Sequence, residues 1–220
     1  MLEHLLGEHS TIPPERGLFI DETRRMHPDV CRFVSEVVYE GRLESYADCA
    51  RQRIDAFGEL TGTGVRYLPV EHTGNARQSP EEAAVIAHHI SDLIGARYTK
   101  ANGETVELTA GDIMVVTPYN AQVRCLRAQL PDGVQIGTVD KFQGQQAAII
   151  FFSMATSSGQ EIPRNLEFLF SRNRLNVAVS RARCLAVLAC SPELLHIRCR
   201  SADQMRLVNA LCRLVEMANA

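Results

Sequence analysis

Ala147 to Met154 reads AAIIFFSM, and so short an apolar run between polar loops suits a strand covered on both faces. Strands of that kind belong to parallel sheets with helices on either side, which restricts the chain to the α/β class. Ile113 to Val116 and Leu185 to Cys190 have the same character. Val65 to Val70 is a fourth strand, and Val134, Ile136 and Val139 mark a fifth. Helices separate them. Val30, Phe33, Val34, Val37 and Val38 recur at helical spacing after Pro28, predicting a helix over 28–40 with Gly41 as its stop. Ser79-Pro80-Glu81-Glu82 is a capping box that opens a helix over 80–94. Further helices are expected over 121–130, over 172–182, and from a cap at Ser201 to about 217. Asn102-Gly103, between Tyr98 and Val106, reads as a hairpin turn. The order predicts one α/β domain over 1–220 with a mostly parallel sheet, an N-terminal extension over 1–16, and a surface excursion over 42–64 to which no function attaches.

Composition excludes several classes. With 220 residues, 45% of them apolar, the chain can bury a sizeable core, and no apolar run approaches the roughly 18 residues of a membrane span. Seven cysteines without a Cys-x-x-Cys pair suggest neither a disulfide framework nor a zinc ribbon; His196 and Cys199 lack a second ligand pair, so no metal site is expected. A soluble protein of the reducing cytoplasm, with no membrane partner, is the expectation. The net charge is −3, yet residues 141–200 carry 8 basic and 3 acidic side chains, a basic stretch in an acidic protein. Of 23 cations 21 are arginine, the side chain suited to planar, bidentate recognition of phosphate.

Four segments carry polar residues that a purely structural domain does not need. They are Arg24-Arg25-Met26-His27-Pro28, Thr117-Pro118-Tyr119-Asn120-Ala121-Gln122, Gly137 to Gln146, and Arg172 to Arg183. Three follow predicted strands, at the edge where open α/β sheets bind ligands. On one continuous helix Arg174 and Arg181, seven residues apart, share a face from which two guanidiniums reach an anion.

In this order the segments resemble the C-terminal, second RecA-like motor domain of superfamily 1 helicases, in the branch of the RNA-surveillance helicase and its DNA-replication relatives. Arg-Met-His-Pro resembles their motif IV, Thr-Val-Asp-Lys-Phe-Gln-Gly-Gln their motif V, and Arg-Leu-Asn-Val-Ala-Val-Ser-Arg-Ala their motif VI. The text from Thr138 to Ser191 is similar to bacterial proteins in which a RecB-like nuclease region precedes such a helicase. The resemblance implies a P-loop NTPase-type fold, with ATP and Mg²⁺ bound mainly by another domain, and a track for single-stranded DNA or RNA. By that resemblance Arg25 and Arg181 reach the γ-phosphate as catalytic groups. Arg24, Gly144, Gln146 and Arg174 contribute to nucleotide binding, and Thr117, Thr138 and Asp140 lie on the nucleic-acid side. Gln146 stands where the family's motif V has a ribose-binding glutamate. Thr23-Arg24 stand where motif IV has Gln-Tyr, which leaves adenine stacking to the guanidinium of Arg24.

No Gly-x-x-x-x-Gly-Lys-Ser/Thr loop occurs in the chain. Leu18-Phe19-Ile20-Asp21-Glu22 looks like a Walker B strand but precedes the Arg-Met-His-Pro element and has no phosphate loop upstream, so Asp21 and Glu22 are read as a decoy. The implied activity is that of half a motor, inactive alone and completed by an N-terminal RecA-like domain. The alternative is a non-catalytic nucleic-acid-binding or scaffold module on the same fold.

Overall fold

The computed structural model describes residues 11–12, 16–142, 144–163 and 165–219. Most of the extension over 1–16 lies outside these residues. The core is a five-stranded sheet in the order β4-β10-β9-β7-β8, formed by β4 (Gly64–Pro69), β7 (Ile113–Thr117), β8 (Gln135–Thr138), β9 (Ala147–Ser153) and β10 (Ala182–Cys190). Every neighbouring pair is parallel. The three apolar runs are the three interior strands, which explains why they lack polar alternation.

Successive residues of these strands feed two opposite cores. Met114, Val116, Ile150, Phe152, Ala186 and Leu188 face one side, where they meet α1 (Pro28–Val38), α5 (Arg172–Val179) and α6 (Ala202–Ala218). Ile113, Val115, Ile149, Phe151, Leu185 and Val187 face the other, against α2 (Pro80–Leu93) and α3 (Asn120–Arg127). Each fully buried Ile, Leu or Phe here contributes about 1.5–3 kcal/mol relative to exposure. The helix starts are those the sequence encodes. His27 Nδ1 accepts from the Asp29 N–H at 3.1 Å ahead of Pro28, and Ser79 Oγ accepts from the Glu82 N–H at 3.1 Å. Glu40 and Gly41, with φ of +56° and +75°, end the first helix.

The remaining expectations are corrected in detail. The helix expected over 172–182 stops at Val179, because β10 begins at Ala182 and a two-residue turn separates them. Val139 does not extend β8; it begins a 3₁₀ turn over Val139–Phe142 that folds back against the sheet. The excursion over 42–64 is not confined to the surface. It contains β2 (Glu44–Ser45), parallel to β1 (Glu22–Thr23), and β3 (Arg53–Asp55). β3 joins β5 (Arg97–Thr99) and β6 (Thr105–Glu107) in an antiparallel sheet whose inner residues Ile54 and Tyr98 are buried. The Walker B look-alike is no core strand, since Leu18 is 96% and Ile20 81% exposed. A short helix α4 (Leu166–Leu169) leads into α5.

Among the described residues no helix is long and apolar enough to cross a membrane, no cluster of three metal-ligating side chains occurs, and all seven cysteines are free thiols.

Candidate functional site

Arg25 is the residue around which Gln146 and Arg181, two of the residues singled out in the sequence, assemble. It sits immediately before Met26, which is 3% exposed, and the capped start of α1, so its backbone is anchored by a helix and a core side chain. Its Nε donates to Gln146 Oε1 at 2.9 Å and its Nη1 donates to the Ser180 carbonyl at 2.9 Å. Those bonds tie the first helix to the segments that enter β9 and β10. The Ala147 N–H donates to the Arg181 carbonyl at 3.1 Å, and the His27 N–H donates to the Arg183 carbonyl at 2.7 Å. Arg25, Gln146, Arg181 and Arg183 therefore meet at the N-terminal ends of β9 and β10, opposite to the edge expected from the sequence.

The electrostatics of this cluster are one-signed. Burial first, then the charges of Arg181 and Arg183, push the Arg25 pKa below its ordinary value. The Nε of Arg181 is buried with no hydrogen-bond partner among the described residues. Guanidiniums held together with no compensating carboxylate among the described residues, one with an orphaned donor, fit an anion. Arg24 is drawn away from this group: its Nε lies 3.1 Å from Glu22 Oε1 and its guanidinium 4.4 Å from the Tyr46 ring centroid. One of its faces already stacks on an aromatic ring.

The second group lies at the C-terminal edge. Thr117 and Thr138 are register partners on β7 and β8. Thr117 is closed to solvent and its hydroxyl is buried without a partner among the described residues, whereas Thr138 is half-buried and Asp140 exposed. Arg174, near the start of α5, lies 3.7 Å from Asp140 and stacks 4.0 Å over Phe168. This corrects the shared helix face. Arg181 lies beyond the helix, and Arg174 belongs with Asp140, away from Arg25.

The segment from Val139 to Gln146 joins the two groups. β9 runs parallel to β8, so the chain must return along the sheet by about 20 Å before β9 begins. It does so through the 3₁₀ turn and through Gly144, whose φ is +86° and whose missing Cβ would meet nothing within 4 Å. Backbone conformation, not crowding inside this chain, requires the glycine there.

Sequence reasoning missed Gln52, Tyr98, Lys100 and Arg183, which with Arg24, Arg25, Asn102 and Gln146 line a cavity of about 310 Å³ beside the arginine cluster. Arg183 was within reach, since it shares the Arg172 to Arg183 segment. Gln52 and Lys100 had no local signal.

A parallel sheet with helices on both faces and arginines gathered at one edge defines an α/β, RecA-like domain. The chain belongs to the family described as AAA domain, which matches residues 1–193. Its relatives make it a helicase-family domain. DNA polymerase alpha-associated DNA helicase A of Schizosaccharomyces pombe is 29% identical over 75% of this chain and 26% of its own length. DNA-binding protein SMUBP-2 of Rattus norvegicus is 29% identical over 76% of this chain and 17% of its own. Helicase sen1 of S. pombe is 30% identical over 72% and 10% respectively. The chain thus spans about a quarter or less of the length of these relatives.

Proposed function

We propose that the chain acts as the second motor domain of an ATP-dependent superfamily 1 helicase of 5′-to-3′ polarity. In this reading Arg25 and Arg181 serve a nucleotide and Mg²⁺ held mainly by a first, P-loop domain. The observation that carries it is the convergence of Arg25, Arg181 and Arg183, with no carboxylate paired to them and Arg181 Nε unpaired among the described residues. ATP supplies the phosphoryl group transferred to water; the protein residues supply charge and position. Arg25 and Arg181, offered across a cleft, stabilise negative charge on the transferring group, an effect worth about 10³–10⁵ in rate where arginine fingers occur. Gln146 orients Arg25, and Gly144 lets the connecting segment turn. Thr138, Asp140 and Arg174 stand at the other end of that segment, facing a single strand of DNA or RNA held through its backbone. The connection through residues 139–146 links the two edges mechanically. The partner domain carries the phosphate loop, and a RecB-like nuclease region accompanies it.

The test is reconstitution. The chain alone with single-stranded DNA is expected to turn over no ATP, and addition of the P-loop domain to restore turnover. Arg181→Ala or Arg25→Ala is expected to reduce the restored rate by about 10³-fold or more. Full turnover by the Arg181→Ala mixture removes the arginine-finger role. Single-strand binding that ignores both ATP and these substitutions favours the non-catalytic module instead.

A further inference from the structure

The arginine cluster is not held by the helix start alone. Gln52, 2% exposed and contributed by the 42–64 excursion, donates from Nε2 to the Arg25 carbonyl at 2.9 Å and to the Arg183 carbonyl at 3.2 Å. Its Oε1 accepts from the Tyr98 hydroxyl at 2.9 Å. Two carbonyl acceptors fix the amide orientation, because only the NH₂ end can serve both. Burial pushes the Tyr98 phenol up to about 12, so at neutral pH it remains the donor this arrangement requires. One side chain thereby spans the two chain segments that carry Arg25 and Arg183, and β5 ties it to the small antiparallel sheet.

The same small sheet closes the cavity. Its hairpin turn presents Lys100, Ala101 and Asn102 to the space bounded by Arg24, Arg25, Gln146 and Arg183. Among the described residues lining that cavity four are cationic and none is a carboxylate. Arg24 and Lys100 have acidic neighbours outside it, Glu22 at 3.1 Å and Glu104 at 3.0 Å, whereas Arg25 and Arg183, the latter lying against the Tyr98 hydroxyl, pair with no carboxylate among the described residues.

We propose that this cavity is a preorganised phosphate-oxygen site in which Arg183 is a binding residue beside Arg25, and that Gln52 is the positioning residue that holds the two. The proposal rests on the nucleotide reading above and extends it to two residues and a hairpin outside the motifs. The ligand class is a linear polyphosphate, as in the tail of a nucleoside triphosphate. Preorganisation matters because two guanidiniums close together repel, and a flexible pair would separate before the anion arrived.

The probe is inorganic triphosphate, titrated calorimetrically into the whole chain at low salt, with thermal melting of each variant in parallel. Arg183→Ala and Gln52→Leu are each expected to weaken binding by about tenfold or more, since each removes or misplaces a charge-assisted contact. Gln52→Leu should do so at a temperature where it remains folded. Tyr98→Phe should weaken binding less, and Arg206→Ala, at an exposed ion pair with Asp203 on α6, not at all. Affinity lost in Arg25→Ala but kept in both Arg183→Ala and Gln52→Leu overturns this proposal and leaves the nucleotide reading standing. A Gln52→Leu protein that melts earlier yet binds normally overturns the positioning role. No binding by the unmodified chain overturns the site, and reconstituted ATPase then decides the nucleotide reading separately.

Discussion

Arg25 donates from Nε to Gln146 Oε1 at 2.9 Å, joining the segment that leads into the first helix to the residue that precedes the central strand. A neutral amide orients the guanidinium without cancelling its charge. Gln146→Glu would supply a carboxylate at the same place, so the charge of Arg25 would be spent within the chain. Triphosphate affinity should fall several-fold at low salt, and the difference should shrink toward 1 M salt, where the screening length is about 3 Å. Unchanged affinity at low salt would place Gln146 away from the anion.

Gly137 marks a close approach. A Cβ there would lie 2.9 Å from Phe142 Cε2 and 2.9 Å from Lys141 Cδ, and Phe142 is only 3% exposed. Gly137→Val is therefore expected to lift the 3₁₀ turn that bears Asp140. Overpacking of this kind costs about 1–3 kcal/mol, readable as a lower urea midpoint. Single-strand affinity, followed by fluorescence anisotropy, should fall with it. Normal stability and binding would mean that the turn does not need its contact with β8.

Glu82 carries a different kind of load. Although 0% exposed, it accepts from Ser153 Oγ at 2.6 Å and from the Ala155 N–H at 3.0 and 2.9 Å, and it faces His72 Nε2 at 3.0 Å. Ala155, at φ +63°, needs that support. Glu82→Ala strands these groups in the interior and should destabilise the fold by about 3–5 kcal/mol, measured by chemical denaturation. A loss under 1 kcal/mol would show that water can replace the carboxylate.

Thiol reactivity reports on the sheet. Burial raises Cys184 to about 12 and Cys31 to about 11, and pushes Cys190 well above the ordinary thiol range. At pH 8 in the native protein these three should resist iodoacetamide, whereas Cys199, which is half-buried, should react. All seven should react in urea, as counted by mass spectrometry. Rapid native labelling of Cys184 would reveal opening of the strand that carries Arg183.

Periodicity and turn chemistry were enough to read the strand runs at 113–116, 147–154 and 185–190, the helix caps at Pro28 and Ser79, and the hairpin at Asn102-Gly103. Each depends on residues adjacent in the chain, where an unbroken apolar run, a capping side chain or a left-handed glycine acts locally. The arginines, Gln146 and the Thr138-Asp140 segment were also recognisable, because their order along the chain survives without the fold. Their grouping was not. Strand order β4-β10-β9-β7-β8 sends Arg25, Gln146, Arg181 and Arg183 to one edge and Arg174, Thr138 and Asp140 to the other, a division created by parallel pairing between segments far apart in sequence. Gln52 lies 27 residues from Arg25 and 131 from Arg183, and nothing local distinguishes it from any other glutamine. Its two carbonyl acceptors exist as a pair only once the segment ahead of α1 has packed against β10, where the His27 N–H donates to the Arg183 carbonyl, since hydrogen-bond direction and burial are properties of the packed chain.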